Sequence, residues 1–443
     1  MSSAEPRVLK GFRDYLPAKM VPRQKMLRAI ERTFERFGFL PLMTPALEYL
    51  DILTGKYGDE GESLMYRFRD QGGRDVALRY DLTVPLARVV AQHPELGLPF
   101  RRYQIAPVWR AEKPARGRFR EFVQCDGDIV GSSDMAADAE VVCLAAELLS
   151  DLGVREFVIR LNNRNVLSGL AAKLGVTDAG KEAAILRTID KLPKIGEDET
   201  RRLLEESGLE ARQAAQALEF VGLRGETAEV LAGLRRFFDG DERGLRGTAE
   251  LEEVFSIVRA AGLGERAELD LSIARGLNYY TGTIYEAFLG GLPGFGAVIG
   301  GGRYDSLIGI FRGEAIPGVG VSLGVDRLLE GLEELGLVEQ VSSVAPVLVS
   351  VFGPEGAPYS ARVAAKLRAA GIACALYPAY HKLGKQFRYA ERSRFRWVVV
   401  AGPDEEARAE VSVKDLSTGR QESVGLDRLE EYLAARISAG PGT

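Results

Sequence analysis

Between Arg101 and Arg120 stand seven cations (Arg101, Arg102, Arg110, Lys113, Arg116, Arg118, Arg120) and one anion, Glu112. A solvated basic loop accounts for such a run. Arg110 and Arg118, however, lie in or beside strand-like stretches, where a guanidinium needs an anion to offset its desolvation. Arginine's planar fork suits phosphate oxygens, and Phe119 or Phe122 can stack on a base. Arg275 follows the apolar run LDLSIA, and Arg327 opens a helix in GVGVSLGVDRLL. The glycines before Arg327 (Gly318, Gly320, Gly324) admit a ligand close to the backbone or mark a strand turning into a helix. A second cationic run spans His381–Arg396, with six Lys/Arg, one anion (Glu391), and Phe387, Tyr389 and Phe395 interleaved. Cations for phosphates with aromatics for unstacked bases match single-stranded RNA recognition, although a solvated helix face has the same composition.

Other chemistries find no support. GGGRYD (Gly300–Asp305) lacks the Lys-Ser/Thr ending of a phosphate-binding P-loop, and no dinucleotide fingerprint is present. The two histidines, His93 and His381, lie far apart, and the three cysteines (Cys125, Cys143, Cys374) form no CxxC pair. No zinc spacing, disulfide framework or nucleophile set can be written from them, and no metal ligands are identified among the side chains. The chemistry expected is charge stabilisation in a phosphate transfer, carried by arginines with Mg2+.

The elements that must position these residues can be read coarsely. The 443 residues are 46% hydrophobic and 27% charged, which fits several folded domains and excludes disorder. No signal peptide and no run of about 18 apolar residues is seen, so a soluble, cytoplasmic protein in a reducing compartment is expected. The net charge of −5 argues against nucleic acid as a partner until it is resolved by segment. Residues 345–443 carry 14 basic and 11 acidic side chains, leaving 44 and 52 for residues 1–344. Met26, Ile30, Phe34 and Phe37 mark one helical face. Strands are predicted at 76–79, 103–109, 119–129, 154–161, 269–273 and 283–288, and a helix at 136–152. The loop AEKPARGR reads as the turn of a long hairpin. Residues 183–255 read as almost continuous helix. The last hundred residues alternate strand and helix, as in a small α/β domain.

These segments together resemble the histidyl-tRNA synthetases, class II aminoacyl-tRNA synthetases, over nearly the whole chain. GFRDYLP (Gly11–Pro17) is similar to the family's N-terminal signature, and FGFLPLMTPALE (Phe37–Glu48) to motif 1, with Pro45 at the dimer-forming position. RYDLTVPLAR resembles the amino-acid-binding loop, Arg101–Asp128 motif 2, and IARGLNYYTGTIYE the histidine motif. GGGRYD and GVGVSLGVDRLL resemble motif 3, and Lys382–Gly402 the anticodon-binding domain.

The resemblance implies an α+β fold: an antiparallel sheet of six to seven strands with helices, a helical insertion, and a C-terminal α/β anticodon-binding domain. The implied boundaries are 1–174 and 256–340 for the catalytic core, 175–255 for the insertion, and 345–443 for the anticodon domain. It further implies ATP-dependent activation of histidine with Mg2+, transfer to the 3′ end of tRNA(His), and a homodimer with no membrane association. Arg110 and Arg275 would hold the α-phosphate, Arg118 and Arg327 the distal phosphates, Glu112 the adenine side, and Phe122 the ring. Asp81, Thr83 and Gln124 would take the histidine ammonium, and Asp128 and Tyr280 the imidazole. Tyr279 suits either that pocket or a structural place in the core. Lys382, Lys385 and Arg388 would bind tRNA. One departure stands out: Asn278 occupies a position where the family has Asp, so reduced or retuned activity is expected. The rival from another class is a histidine-binding regulatory paralogue of histidine biosynthesis. Such paralogues typically lack the anticodon domain and lose motif arginines, both of which this chain retains.

Overall fold

The computed structural model describes residues 5–274, 279–338 and 343–438, and Arg275 and Asn278 lie outside them. The described residues fall into two compact units. One contains the chain up to Arg13 together with Met26–Val338, and the other Asp14–Lys25 with the residues after Val338.

In the first unit, β1 (Leu40–Pro41) precedes three short strands, β2 (Leu47–Tyr49), β3 (Arg67–Arg69) and β4 (Asp75–Leu78), which make their own sheet in the order β2-β4-β3. The stretch predicted as a strand at 76–79 belongs to this small sheet. There follow β5 (Phe100–Trp109), β6 (Glu121–Val130), β7 (Phe157–Asn163), β8 (Ala267–Leu269), β9 (Thr283–Leu289), β10 (Ile299–Arg303) and β11 (Gly318–Gly324). With β1 they form an eight-stranded sheet in the order β1-β5-β6-β11-β10-β9-β7-β8. Its pairings are antiparallel except β1–β5 and β7–β8 at the two edges. The expected six to seven strands are thus eight, because two short edge strands, β1 and β8, join in parallel. The strand expected at 269–273 is β8, which ends at Leu269. Beyond it Asp270 turns the chain, accepting from the Ser272 backbone N–H and hydroxyl.

The alternation of β6 decides what the sheet presents. Cys125 and Ile129 are buried in the main core, and between them Gly127 lies under Phe34: a Cβ there would stand 2.6 Å from the Phe34 ring. Phe34 also stacks on Tyr103 of β5 with ring centres 5.2 Å apart, as the helical face of Met26, Ile30 and Phe34 implies. The helix Met135–Asp151 covers the same side. With period two, Gln124, Asp126 and Asp128 must point to the opposite face.

Helices fill the span from Ala179 to Ala260. Their apolar side chains (Ile185, Leu218, Leu234, Val254) continue the main core. The helix Glu242–Ala260 approaches Arg164–Lys173 at Gly169, where a Cβ would meet the Gly244 Cα at 2.9 Å.

In the second unit, β12 (Val347–Val349), β13 (Cys374–Leu376), β14 (Trp397–Val400), β15 (Glu410–Asp415) and β16 (Gln421–Gly425) form a sheet in the order β13-β12-β14-β15-β16. The first three run parallel and the last two antiparallel. Helices Gly353–Ala369 and Leu429–Ser438 share one core with this sheet, and Leu383–Arg392 contributes to another. Strand β16, whose QESVG is mostly exposed, has no apolar alternation to announce it.

Candidate active site

The polar face of β6 and its neighbours lines a cleft bounded by Thr83, Asp126, Asp128, Tyr280, Tyr304 and Ser322, with glycines at its floor. Gly320 of β11 pairs with Asp128 of β6, and Gly302 of β10 with Gly320. A Cβ on Gly320 would lie 2.7 Å from the Asp128 carboxyl carbon, and one on Gly302 would meet the Tyr280 ring at 2.9 Å. Glycine at these two positions is what leaves room for the acid and the aromatic above the sheet.

Asp128 is buried and doubly engaged: Tyr304 donates to its Oδ1 at 2.6 Å, and the Arg102 Nη2 lies 2.7 Å from its Oδ2. Arg102 is itself fully buried and donates to the Leu82 carbonyl at 3.1 Å. Burial raises the Asp128 pKa, against the lowering effects of Arg102 and the Tyr304 hydroxyl. Asp126, two residues earlier on the same face, is 2% exposed, and burial pushes its carboxyl up to about 7. Gln124 donates to the Ser322 hydroxyl at 2.7 Å, while its buried carbonyl oxygen has no partner among the described residues.

A second carboxylate, Asp81, sits at the start of the helix Thr83–Gln92. Its Oδ1 accepts from the Tyr57 hydroxyl at 2.8 Å and the Val84 N–H at 3.1 Å, and its Oδ2 from Tyr279 at 3.2 Å. Burial raises the pKa of Asp81, while these donors and nearby Arg110 work against the rise. Tyr279 is therefore both a buried aromatic and the side chain that fixes Asp81, whereas Tyr280 lines the cleft.

The motif arginines occupy distinct places. Arg110 donates from Nε to the Tyr80 carbonyl at 3.1 Å, with its guanidinium 4.4 Å from the Tyr80 ring centre and 5.2 Å from that of Phe122. Phe122 packs on Leu82, Ala106 and Val108. Arg118 lies in the hairpin loop 3.7 Å from the Glu112 carboxylate. Arg327 begins the helix Val325–Glu334 and donates to the Phe295 carbonyl. The expected catalytic Arg275 lies outside the described residues.

Sequence reading missed several participants. The seven cations between Arg101 and Arg120 do not form one patch. Arg102 lies under the cleft, Arg101 pairs with Glu140 at 2.7 Å, and Arg116 pairs with Glu334. Arg120 donates to the Glu112 carbonyl at 3.1 Å. Arg13, within GFRDYLP, joins motif 2 to motif 3. Its guanidinium lies 3.6 Å over Phe119 and 3.1 Å from Asp326, which accepts the Val123 N–H at 2.9 Å. Tyr57 carried no local signal, and Tyr304 lay within GGGRYD without being singled out. Asp126 did carry one, since it shares the period-two face of Gln124 and Asp128.

In the second unit, Lys382, Lys385 and Arg388 are all exposed at and along the helix Leu383–Arg392. Lys385 lies 3.1 Å from the Nε2 of His381, whose Nδ1 meets the Tyr377 hydroxyl at 2.8 Å.

Comparison with known proteins bears on this geometry. A family model described as histidyl-tRNA synthetase matches residues 11–328, and one described as an anticodon binding domain matches residues 346–436. The chain is 45% identical to the histidine–tRNA ligase of Rhodopirellula baltica, over 98% of this chain and 100% of that protein. It is 40% identical to the ligase of Cytophaga hutchinsonii, over 97% and 99%. Among solved structures it is similar to a histidyl-tRNA synthetase from Nostoc sp. PCC 7120, with a TM-score of 0.89, 35% identity, and 98% and 100% of the two chains covered.

Proposed function

The chain belongs to the histidyl-tRNA synthetase family and charges tRNA(His) with histidine, and on that premise we propose how its side chains divide the reaction. The observation that carries the division is the adjacency of Asp81 and Arg110. Asp81 is held by Tyr57, Tyr279 and the Val84 N–H, while Arg110 is anchored on the carbonyl of the preceding Tyr80. An amino acid carries its ammonium and its carboxylate on one carbon. Asp81, with Thr83 and the open carbonyl oxygen of Gln124, takes the ammonium. The carboxylate then lies toward Arg110, where the α-phosphate is held.

The carboxylate oxygen of histidine attacks the α-phosphorus, the bond to the bridging oxygen breaks, and pyrophosphate leaves with its electron pair. Arg110 and Arg275 stabilise the charge on the α-phosphate oxygens, and Arg118 and Arg327 stabilise the departing phosphates. Positioned arginines of this type are worth roughly 10³–10⁵ in rate in other phosphoryl transfers. Glu112 and Phe122 hold the adenine. Attack by a hydroxyl of the tRNA's terminal adenosine on the adenylate's carbonyl carbon then releases AMP. Asp128 and Tyr280 face the imidazole, and a carboxylate at one end of that ring selects its tautomer.

ATP is the family's substrate. Mg2+ would accompany ATP as a partner of its phosphates, supplying charge neutralisation. Lys382, Lys385 and Arg388 contact the tRNA through its phosphates. Leu40, Met43, Leu47 and Tyr49 are exposed apolar side chains in and between β1 and β2, which suit burial against a second copy as a homodimer. Among the described residues no helix is long and apolar enough to cross a membrane. From the charging of tRNA(His) we place the protein in the cytoplasm, where tRNA is used. ATP–pyrophosphate exchange across all twenty amino acids tests the reading. Histidine should be the one that supports exchange, and absence of exchange with histidine would overturn the assignment.

A further inference from the structure

We propose that Asp126 determines specificity in the histidine pocket: its Oδ1 accepts a ring N–H of bound histidine, beside Asp128, which Tyr304 and Arg102 hold in place. This inference rests on the histidine-activating reading above. Asp126 lines the cleft beside Thr83, Tyr280 and Ser322, is 2% exposed, and its buried Oδ1 has no hydrogen-bond partner among the described residues. Asp128 accepts from Tyr304 on one oxygen; its other oxygen is likewise without a hydrogen-bond partner among the described residues, but it lies 2.7 Å from the Arg102 Nη2, whose charge compensates it. The two carboxylates share the field of one buried cation, Arg102, with Asp81 as a third acid nearby.

An unpaired buried carboxylate oxygen is costly. Without ligand that cost appears as a proton retained on Asp126, whose carboxyl lies near pH 7. A ring N–H supplied at Oδ1 removes the cost, and only a side chain with a donor at that point can do so. Sites built around such a donor reject analogues lacking it far more strongly than sites built on shape alone. Asp126 thus explains how a small pocket separates histidine from amino acids of similar bulk.

The test is ATP–pyrophosphate exchange by the full-length protein and its Asp126→Asn variant, with histidine and its two ring-methylated analogues. Replacing a charge-assisted hydrogen bond should raise the histidine KM by about 10–100-fold. The ATP KM should stay within about twofold, and discrimination against one methylated analogue should shrink in step. A histidine KM within about twofold of wild type, with unchanged discrimination, overturns the proposal. Loss of histidine-dependent exchange in the wild type would instead strike the functional reading. If Asp126→Asn does not fold, nuclear magnetic resonance of ring-15N histidine on the wild-type protein decides. A ring N–H displaced downfield and protected from exchange supports the contact, and one exchanging as fast as in free histidine refutes it.

Discussion

Gly320→Ala adds one methyl group at the most crowded point of the cleft floor. The new Cβ would lie 2.7 Å from the Asp128 carboxyl carbon, closer still to its Oδ1, and 3.1 Å from the Gly127 carbonyl oxygen. Backbone lies on one side, so the Asp128 side chain must move. Moving it by the ångström required for ordinary contact cannot preserve both the 2.6 Å bond from Tyr304 and the 2.7 Å approach of Arg102. Arg102 is fully buried, and breaking such a pair costs about 3–5 kcal/mol. Part of this appears as lost stability and part as lost pocket geometry. If only about half falls on histidine binding, the histidine KM rises by roughly tenfold or more. Thermal melting and ATP–pyrophosphate exchange measure the two parts, and the ATP KM should hardly change because the motif arginines lie elsewhere. A variant with wild-type melting temperature and wild-type histidine KM would refute the view that glycine here makes room for Asp128.

The remaining predictions concern pH, tRNA, assembly and the histidine motif. The Asp126 carboxyl is pushed up to about 7 by burial, with Arg102 and a hydrogen bond with the Ser322 side chain opposing the rise and Asp128 and Asp81 adding to it. Tyr280, Tyr304 and Ser322 also line its cleft. Since histidine binds the ionised form, affinity is gained as pH rises through 7. The ratio of Asp126→Asn to wild-type histidine KM should grow about tenfold between about pH 6 and about pH 8, and a flat ratio would remove Asp126 from the contact. Lys385→Ala with Arg388→Ala should weaken tRNA binding and flatten its salt dependence, leaving pyrophosphate exchange intact; unchanged tRNA affinity would dismiss these cations. Leu40→Asp with Met43→Asp should give a monomer by light scattering, and a persistent dimer would place the interface elsewhere. Asn278→Asp should maintain or raise exchange, and a large fall would show that the amide is an adaptation.

Much of the fold was legible because burial imposes a period. Met26, Ile30 and Phe34 repeat at helical spacing and do pack on the sheet, and the β5–β6 hairpin was evident from its alternation and its Pro/Gly loop. The short strand β1 was not, and β8 was expected with shifted bounds, since two or three residues carry no period and are fixed only by their parallel neighbours. The turn at Asp270 was likewise hidden, because it depends on a side chain capping its own backbone inside an apolar run.

By itself, the sequence determined the family, the two cationic segments and the identity of the motif arginines, because these are properties of residue type and order. Only the tertiary structure decided what each charge faces. Of seven cations that look alike in sequence, Arg102 is a buried counter-ion, Arg101 and Arg116 make surface pairs, Arg110 is anchored on the Tyr80 carbonyl, and Arg118 faces Glu112 in the hairpin loop. A charge's role is set by the dielectric around it and the partners within a few ångström. For Arg102 and Asp126 those partners come from strands that only the folded sheet brings side by side.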